Sequence, residues 1–379
     1  MPGPSIRTVR FAAGRHLTQA FPALHARMPF FQRVVPVNEA GAAEILTEEE
    51  PLNLSPPEAA FAERLPPSQK VPEVVARSTA LVSLENVSVL GNTGAVISEA
   101  GHYLILPRDE KRAANHHDYR LEFTRVVQKP DANYVHVMGP HKGHRHIYHF
   151  YFDHMLRLYH LLERFALGKE KLVLLANDAP ARHQTEFFGF LMARYPNVSV
   201  QYVPYGERWQ LPKLYYPDDY QNTDRTFSSR AALEFLRDLM LPGYGARNAA
   251  PKRRLYLTRE DTRKRRLSNE AALRPLLEKH GFEIVAPGQR SFGDQVRLFA
   301  EAAVVMGPHG AAFTDDLFSP PGTKVIEIFP ANKVKSCYFL LSKRLDQPYF
   351  PVIGGPGDKQ EWFSCDPALV KAALEEALG

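Results

Sequence analysis

Apolar and polar residues alternate through "LVSLENVSVLGNTGAVISEAGHYLIL", residues 81–106, on either side of a turn at 91–94. A period of two broken by a glycine turn predicts an antiparallel β-hairpin. Farther on, "HRHIYHFYFDHMLRLYHLLERF" (144–165) is apolar around most of a helical circumference, which predicts a helix buried on most sides. The short apolar run "KLVLLAND", a helical stretch at 184–194 and the strand-like "VSVQYVPYG" follow. The first half of the chain therefore reads as mixed β, then β/α.

The second half is more regular. "RLYLTR" (254–259), "FEIVAP" (282–287), "AVVMG" (303–307) and "KVIEIF" (324–329) have the length and apolar content of buried strands. Between them the spacing is helical. One helix runs from Ser268, as its cap, to His280 and stops at Gly281; the next opens on a Ser291…Asp294 capping box. A short helix in "GAAFTDDLF" and another at 333–343 complete the alternation. Strands alternating with helices, with no hairpin turns between them, predict a parallel doubly wound sheet. A last helix, 367–378, is expected to pack back on the body.

The expected architecture is α/β, with two Rossmann-like domains (81–225 and 226–352) facing a cleft. The closing segment is 353–379. Residues 1–80 form an extension expected to pack on the first domain. Eleven of the chain's 31 prolines lie in residues 1–72, which predicts an irregular surface segment with one helical turn at most.

Composition narrows this picture only slightly. A net charge of +5 and a pI near 9.0 are mildly basic; they suit an anionic ligand or membrane surface and are too weak to argue for nucleic acid. The two cysteines, Cys337 and Cys365, build no disulfide framework, so a reducing, cytoplasmic setting is expected. No run of about 18 apolar residues predicts a membrane span. The N-terminus reads as an ordinary basic leader, with peripheral contact to anionic lipid as the alternative.

Three clusters carry candidate chemistry. On the buried helix, His149, Asp153, Arg157, His160 and Arg164 project within roughly 80° of arc at 100° per residue, and His146 joins the same stripe. His149 and Asp153, four apart, are within reach of each other and form a candidate proton acceptor. The alternatives are a solvated helix face and a buried structural pair. Seven of the 15 histidines lie between 136 and 160, which is compatible with a metal site; without HExxH spacing or an acidic pair nearby, the expectation is no metal.

The second cluster is "KRRLYLTREDTRKRRLSNE" (252–270), whose first fifteen residues include eight Lys or Arg. It runs through a predicted parallel strand and past its C-terminal end to a helix N-cap, where such sheets bind ligands, and it reads as an anion site. A solvated basic loop is the plain alternative. The third is "VVMGPHGAAFTDDLFSPPG" (304–322), where a strand runs through Gly307, Pro308, His309 and Gly310 into a helix start at Ala311. Small residues there admit a phosphate. Neither a P-loop nor a full GxGxxG is present, which argues against an ATPase and a nicotinamide enzyme. Glu327, an acid inside an apolar strand, reads as either a ribose ligand or a satisfied structural group.

Together, "LENVSVLGNTGAVISEAG", "YHFYFDHMLRLY", "LTREDTRKRRLSNE", "SFGDQVRLFAEAAVVMGPHGAAFTDDLFSPPGTKVIEIFP" and "CYFLLSKRLDQPY" resemble glycosyltransferase family 61, from about residue 81 to 350. The resemblance implies a GT-B-like fold and an inverting transfer from a nucleotide sugar, usually a UDP-sugar, with no obligatory metal or other cofactor. Matched residue by residue, Arg259, Arg265, Asn269, His309, Gly310 and Ala311 would face the donor diphosphate, and Glu327 the nucleoside. In such a transfer Asp153 is the expected base, with His149 as its orienter or as the base itself, and Arg157 and His146 would lie on the acceptor side. "DHMLRLY" departs from many members, which carry a proline before the arginine, and this leaves the acceptor geometry open. The expected partners are a nucleotide sugar and a glycan or lipid-linked glycan acceptor in polysaccharide biosynthesis, without nucleic acid. A non-catalytic sugar- or nucleotide-binding protein of the same fold and a His-rich metal hydrolase are the alternatives.

Overall fold

The computed structural model describes residues 34–70, 74–91, 93–105, 124–139, 145–165, 167–218 and 229–379. The basic leader, and His141 and His144 of the His-rich segment, lie outside them. Contacts divide the chain into two compact units: Met1–Thr47 with Ser78–Thr223, and Glu48–Arg77 with Asp224–Gly379. Among the described residues no helix is long and apolar enough to cross a membrane.

The first unit is built on a mixed sheet. Its spine is the 17-residue strand β1 (Val74–Leu90), which folds back on β2 (Val96–Ile97) as the alternation predicts. Further strands are β3 (Asn133–His136), β4 (Leu172–Asn177), β5 (Val198–Val203) and β6 (Glu207–Asp218). β1 pairs antiparallel with β6, whereas β6, β3, β4 and β5 pair in parallel in that order. Val82, Leu84, Val87 and Val89 of β1 pack with Tyr134, Leu175, Leu211 and Leu214 in one buried core. Asn86 takes a left-handed φ of 49°, a conformation asparagine tolerates better than most residues. It sits between rungs: Glu85 pairs with Lys213 and Val87 with Leu211.

The helix at 147–164 departs from the expected geometry. Residues His149–Met155 and His160–Arg164 are π-helical, separated by a short α segment, Arg157–Tyr159. The Leu156 N–H reaches the Tyr151 carbonyl and the Phe165 N–H the His160 carbonyl, each five residues back. A wider turn changes which residues share a face, so a stripe projected at 3.6 residues per turn does not survive. Asp153, His154, Arg157 and His160 are all buried, while Glu163 and Arg164 are exposed. Aromatic edges hold the helix in place. Phe150 meets Phe187 and Phe188 of α2 (Arg182–Arg194), the helix after the short α segment Arg157–Tyr159 (α1), edge-on at 5.5 and 5.8 Å.

The second unit is the predicted parallel sheet. Its strands are β7 (Arg253–Leu257), β8 (Phe282–Val285), β9 (Ala302–Pro308), β10 (Lys324–Phe329) and β11 (Tyr349–Ile353). They lie in the order β8-β7-β9-β10-β11, every pair parallel. This 2-1-3-4-5 order reverses direction between β7 and β9, which makes that gap the topological switch point. Val304, Met306, Ile326 and Ile328 form its core with Val370, Leu374 and Ala377 of the closing helix, Pro367–Leu378. Glu270–Lys279 follows β7; its N-cap position is Asn269 rather than Ser268, whose hydroxyl donates to the Phe363 carbonyl at 2.9 Å.

The proline-rich segment corrects an expectation. Pro56–Arg64 is a nine-residue helix, opened by Glu58 accepting the Ser55 N–H at 2.8 Å. It is longer than the single turn expected, and it packs within the second unit, where Phe61 meets Phe339 edge-on at 5.4 Å and Tyr349 at 5.8 Å.

Candidate functional site

At the switch point, β7 runs into Thr258–Arg259 and β9 into His309–Gly310. The Arg259 guanidinium lies directly over Gly310, because a Cβ at 310 would fall 1.6 Å from its Nη1. Only glycine leaves room for that approach. Arg259 is buried, and its Nε and Nη2 donate to the Lys264 carbonyl at 3.2 and 3.0 Å. Its hydrogen bonds go to a carbonyl, not a carboxylate; Asp261 and Glu361 act on it only at a distance. Burial, with Arg265 adding to it, lowers the Arg259 pKa to about 10, so the group stays cationic at neutral pH.

His309 stands beside this cation. Its Nδ1 is 2.5 Å from Glu327 Oε1, and the Tyr349 hydroxyl donates to Glu327 Oε2 at 2.6 Å. Glu327 has no exposed surface, and both its oxygens are engaged inside the unit. Burial pulls the His309 pKa down, against the pull of Glu327, and Arg265 and Arg259 lower it further. With Nδ1 held by Glu327, the ring's other nitrogen is the one left for a ligand. Ala311 opens the 3-10 helix Ala311–Phe318, inside which burial pushes the Asp316 carboxyl up to about 7.

Arg265 belongs to the basic loop and takes a left-handed φ of 58°, a strained state for an arginine that needs support from its surroundings. Support comes from a segment the sequence did not flag. Arg265 donates its backbone N–H to the Gln360 carbonyl at 3.1 Å, and its Nε lies 3.4 Å from Glu361 Oε2. Trp362 donates from Nε1 to the Arg263 carbonyl at 3.1 Å, and the Arg266 guanidinium lies 5.1 Å from its ring centroid. Glu361 lies nearly a hundred residues beyond the loop it steadies, and no local pattern in the sequence points to it. Asn269, expected to face a diphosphate, uses both amide atoms on the Cys365 backbone, donating at 2.7 Å and accepting at 3.0 Å.

In the first unit, His149 Nδ1 is 2.7 Å from Asp153 Oδ2, with the histidine side chain 39% exposed and the aspartate 2%. The carboxylate is therefore the inner member and the imidazole the outer one. The exposed His146 ring lies 5.0 Å from that of His149. Arg157, expected on the acceptor side, is buried. It donates to the Pro217 carbonyl at 2.8 Å and lies 2.9 Å from His154 Nδ1, which must accept because arginine only donates. That arginine clamps the helix to the end of β6. Among the described residues no group of three or more His, Cys, Asp and Glu converges as a metal-binding set.

Against this geometry, comparison with known families gives one match: the model described as Glycosyltransferase 61 aligns with residues 147–326. The matched stretch runs from the π-helix to β10 and so takes in both clusters. No curated protein matches the chain.

Proposed function

Residues 147–326 place this chain in glycosyltransferase family 61, and from that membership we propose an inverting transfer of sugar from a nucleotide sugar to a glycan hydroxyl. The second unit takes the donor and the first activates the acceptor, a GT-B type of division of labour. The observation that carries the donor site is the buried Arg259 cation, hydrogen-bonded among the described residues to a carbonyl and to no carboxylate, and lying on Gly310 at the switch point. A cation held out of water without a carboxylate on it is poised for an anionic ligand. Arg265 adds a second charge beside it.

His149 is the base in this reading, and Asp153 its orienter. Asp153 accepts the Nδ1–H and leaves Nε2 free to take the acceptor's hydroxyl proton. The acceptor oxygen forms a bond to the anomeric carbon as the bond from that carbon to the phosphate oxygen breaks. The electron pair leaves on the nucleoside diphosphate, where Arg259 and Arg265 stabilise the added charge. We take UDP as the leaving group and a polysaccharide as the product, and side-chain cations as sufficient without a metal ion.

A thermal-shift series with UDP, GDP, ADP and CDP tests the donor site: one nucleotide should raise the melting temperature, since a ligand of the folded form stabilises it. Arg259→Ala should abolish that shift. No shift with any nucleotide, or an unchanged shift in the variant, would remove the donor reading. UDP-sugar turnover that persists after exhaustive chelation would support metal independence.

A further inference from the structure

Resting on that reading, we infer that the nucleoside of the donor sits over β7 and β8, in a cleft gripped by Asp261 and Glu260, and not on Glu327. The reasoning starts from Glu327 itself. Its carboxylate is fully buried and is bonded on one oxygen by His309 and on the other by Tyr349. Because Glu327 has no exposed surface, a ribose could reach it only by pushing aside the side chains packed over it, His309 and Tyr349 among them, at the cost of bonds those groups now make inside the unit. The nucleoside therefore needs a separate place on the same rim.

Such a place adjoins Arg259. A cleft of about 440 Å³ lies at the C-terminal ends of β7 and β8, lined by Thr258, Glu260, Asp261, Ile284, Gln289 and Arg290, among others. That volume lies within the range of small-molecule sites and exceeds what a nucleoside requires. Two of the lining residues, Thr258 and Glu260, are the immediate sequence neighbours of Arg259, so a diphosphate on that guanidinium begins at the edge of the cleft.

The lining fixes the chemistry. Two carboxylates against one cation, Arg290, leave the lining net acidic, which suits hydroxyl and N–H donors, as a ribose diol and the edge of a base present, better than a phosphate. Asp261 is exposed and reaches toward the facing β8 turn: a Cβ at Gly288 would stand 3.5 Å from its Oδ2. Ile284 offers an apolar wall. Thr258 pins the floor, because its hydroxyl donates to Glu270 at 2.6 Å and accepts from the Glu260 N–H at 3.2 Å. Glu260 is restrained only by Arg274 at 3.5 Å. Cation chemistry supplies one end of the donor site and carboxylate chemistry the other, as a nucleoside diphosphate requires.

The test is calorimetry on the full chain with UDP, 2′-deoxy-UDP, a UDP-sugar and inorganic pyrophosphate, in wild type, Asp261→Asn and Glu260→Gln. Both side chains are exposed, so the variants should fold, and an unchanged melting temperature checks that. Wild type should prefer UDP over its deoxy analogue by about tenfold or more, the scale of a hydrogen bond to a charged group. Asp261→Asn should erase the preference and weaken UDP to a similar degree, with pyrophosphate unchanged; Glu260→Gln should weaken UDP less. Unchanged UDP affinity in both variants, or equal loss for pyrophosphate, would overturn the assignment. A loss confined to the UDP-sugar would also overturn it, by giving the cleft to the sugar. If neither UDP nor pyrophosphate binds wild type, the donor site falls, and this cleft with it.

Discussion

The two candidate sites are built in opposite ways. In the second unit, charge sits on loops at the ends of regular parallel strands: Arg259 is braced by Lys264 of its own loop, Arg265 by Glu361 and His309 by Glu327 from elsewhere in the unit. In the first unit the candidate pair lies within one helix, on a π-helical turn where a buried aspartate holds a half-exposed histidine. An anion site must keep cations together, so it draws on several elements. A proton acceptor needs only one orienting partner, which four residues of separation supply. π-turns are uncommon and often mark function; here the turn buries Asp153 and leaves His149 at the surface.

That contrast sets the largest expected effect. His149→Ala should reduce sugar transfer by roughly 10²–10⁴-fold, the range of a lost general base, with nucleotide affinity unchanged. Asp153→Asn should cost less, because the imidazole stays while its orientation and basicity weaken. Steady-state turnover beside calorimetric UDP binding separates the two readouts. Equal activity in His149→Ala and wild type would move the base elsewhere, and a parallel loss of UDP affinity would end the division of labour between the sites.

Gly310→Ala attacks the other side of the comparison. The added methyl must displace the Arg259 guanidinium, since its Cβ would lie 1.6 Å from Nη1. Misplacing a positioning group by about an ångström is worth roughly a hundredfold, so UDP affinity should fall by about that factor. Gly189→Ala, where nothing lies within 4 Å of the new carbon, is the control. It sits inside α2 and should stabilise the fold by up to about 1 kcal/mol. If Gly310→Ala binds UDP as tightly as wild type, Arg259 is not the anion's partner.

The same contrast explains what could be read from residues alone. The second unit was legible because strands buried on both faces appear as short apolar runs, and the glycines and basic residues at their ends mark the rim. Arg259, His309 and Gly310 do come together there. The brace through Glu361 and Trp362 was not legible, because pairing across such a separation leaves no local pattern. Nor was the engagement of Asn269 by Cys365, which shifts the helix cap by one residue. The apolar circumference of 147–164 marks the helix as buried, but a projection at 3.6 residues per turn implies a polar stripe that the π-turns dismantle. His149 with Asp153 persisted because an i,i+4 pair can still meet there, whereas Arg157 turned inward to Pro217.

The smallest expected effect concerns pH, and it asks whether His309 acts as an anion ligand or only as packing. Its pKa is lowered from the ordinary histidine value, chiefly by burial, so the ring is neutral near pH 7 in the ligand-free protein. The unfolded chain then binds more protons than the folded one between the two values. The histidine thus contributes stability above the unfolded pKa, and that contribution is lost as pH falls through the folded one. A diphosphate reverses the balance, because its charge favours the imidazolium, whose Nε2–H can donate to a phosphate oxygen. Binding should therefore take up a proton, and UDP affinity should rise as pH drops from 8 to 6, by at most about tenfold per unit. His309→Gln should flatten the slope that remains after the nucleotide's own ionisation is subtracted. Calorimetry in two buffers of different ionisation enthalpy reads the proton uptake directly. Identical uptake in wild type and His309→Gln would leave the ring as packing beneath Arg259, with the anion held by the two arginines alone.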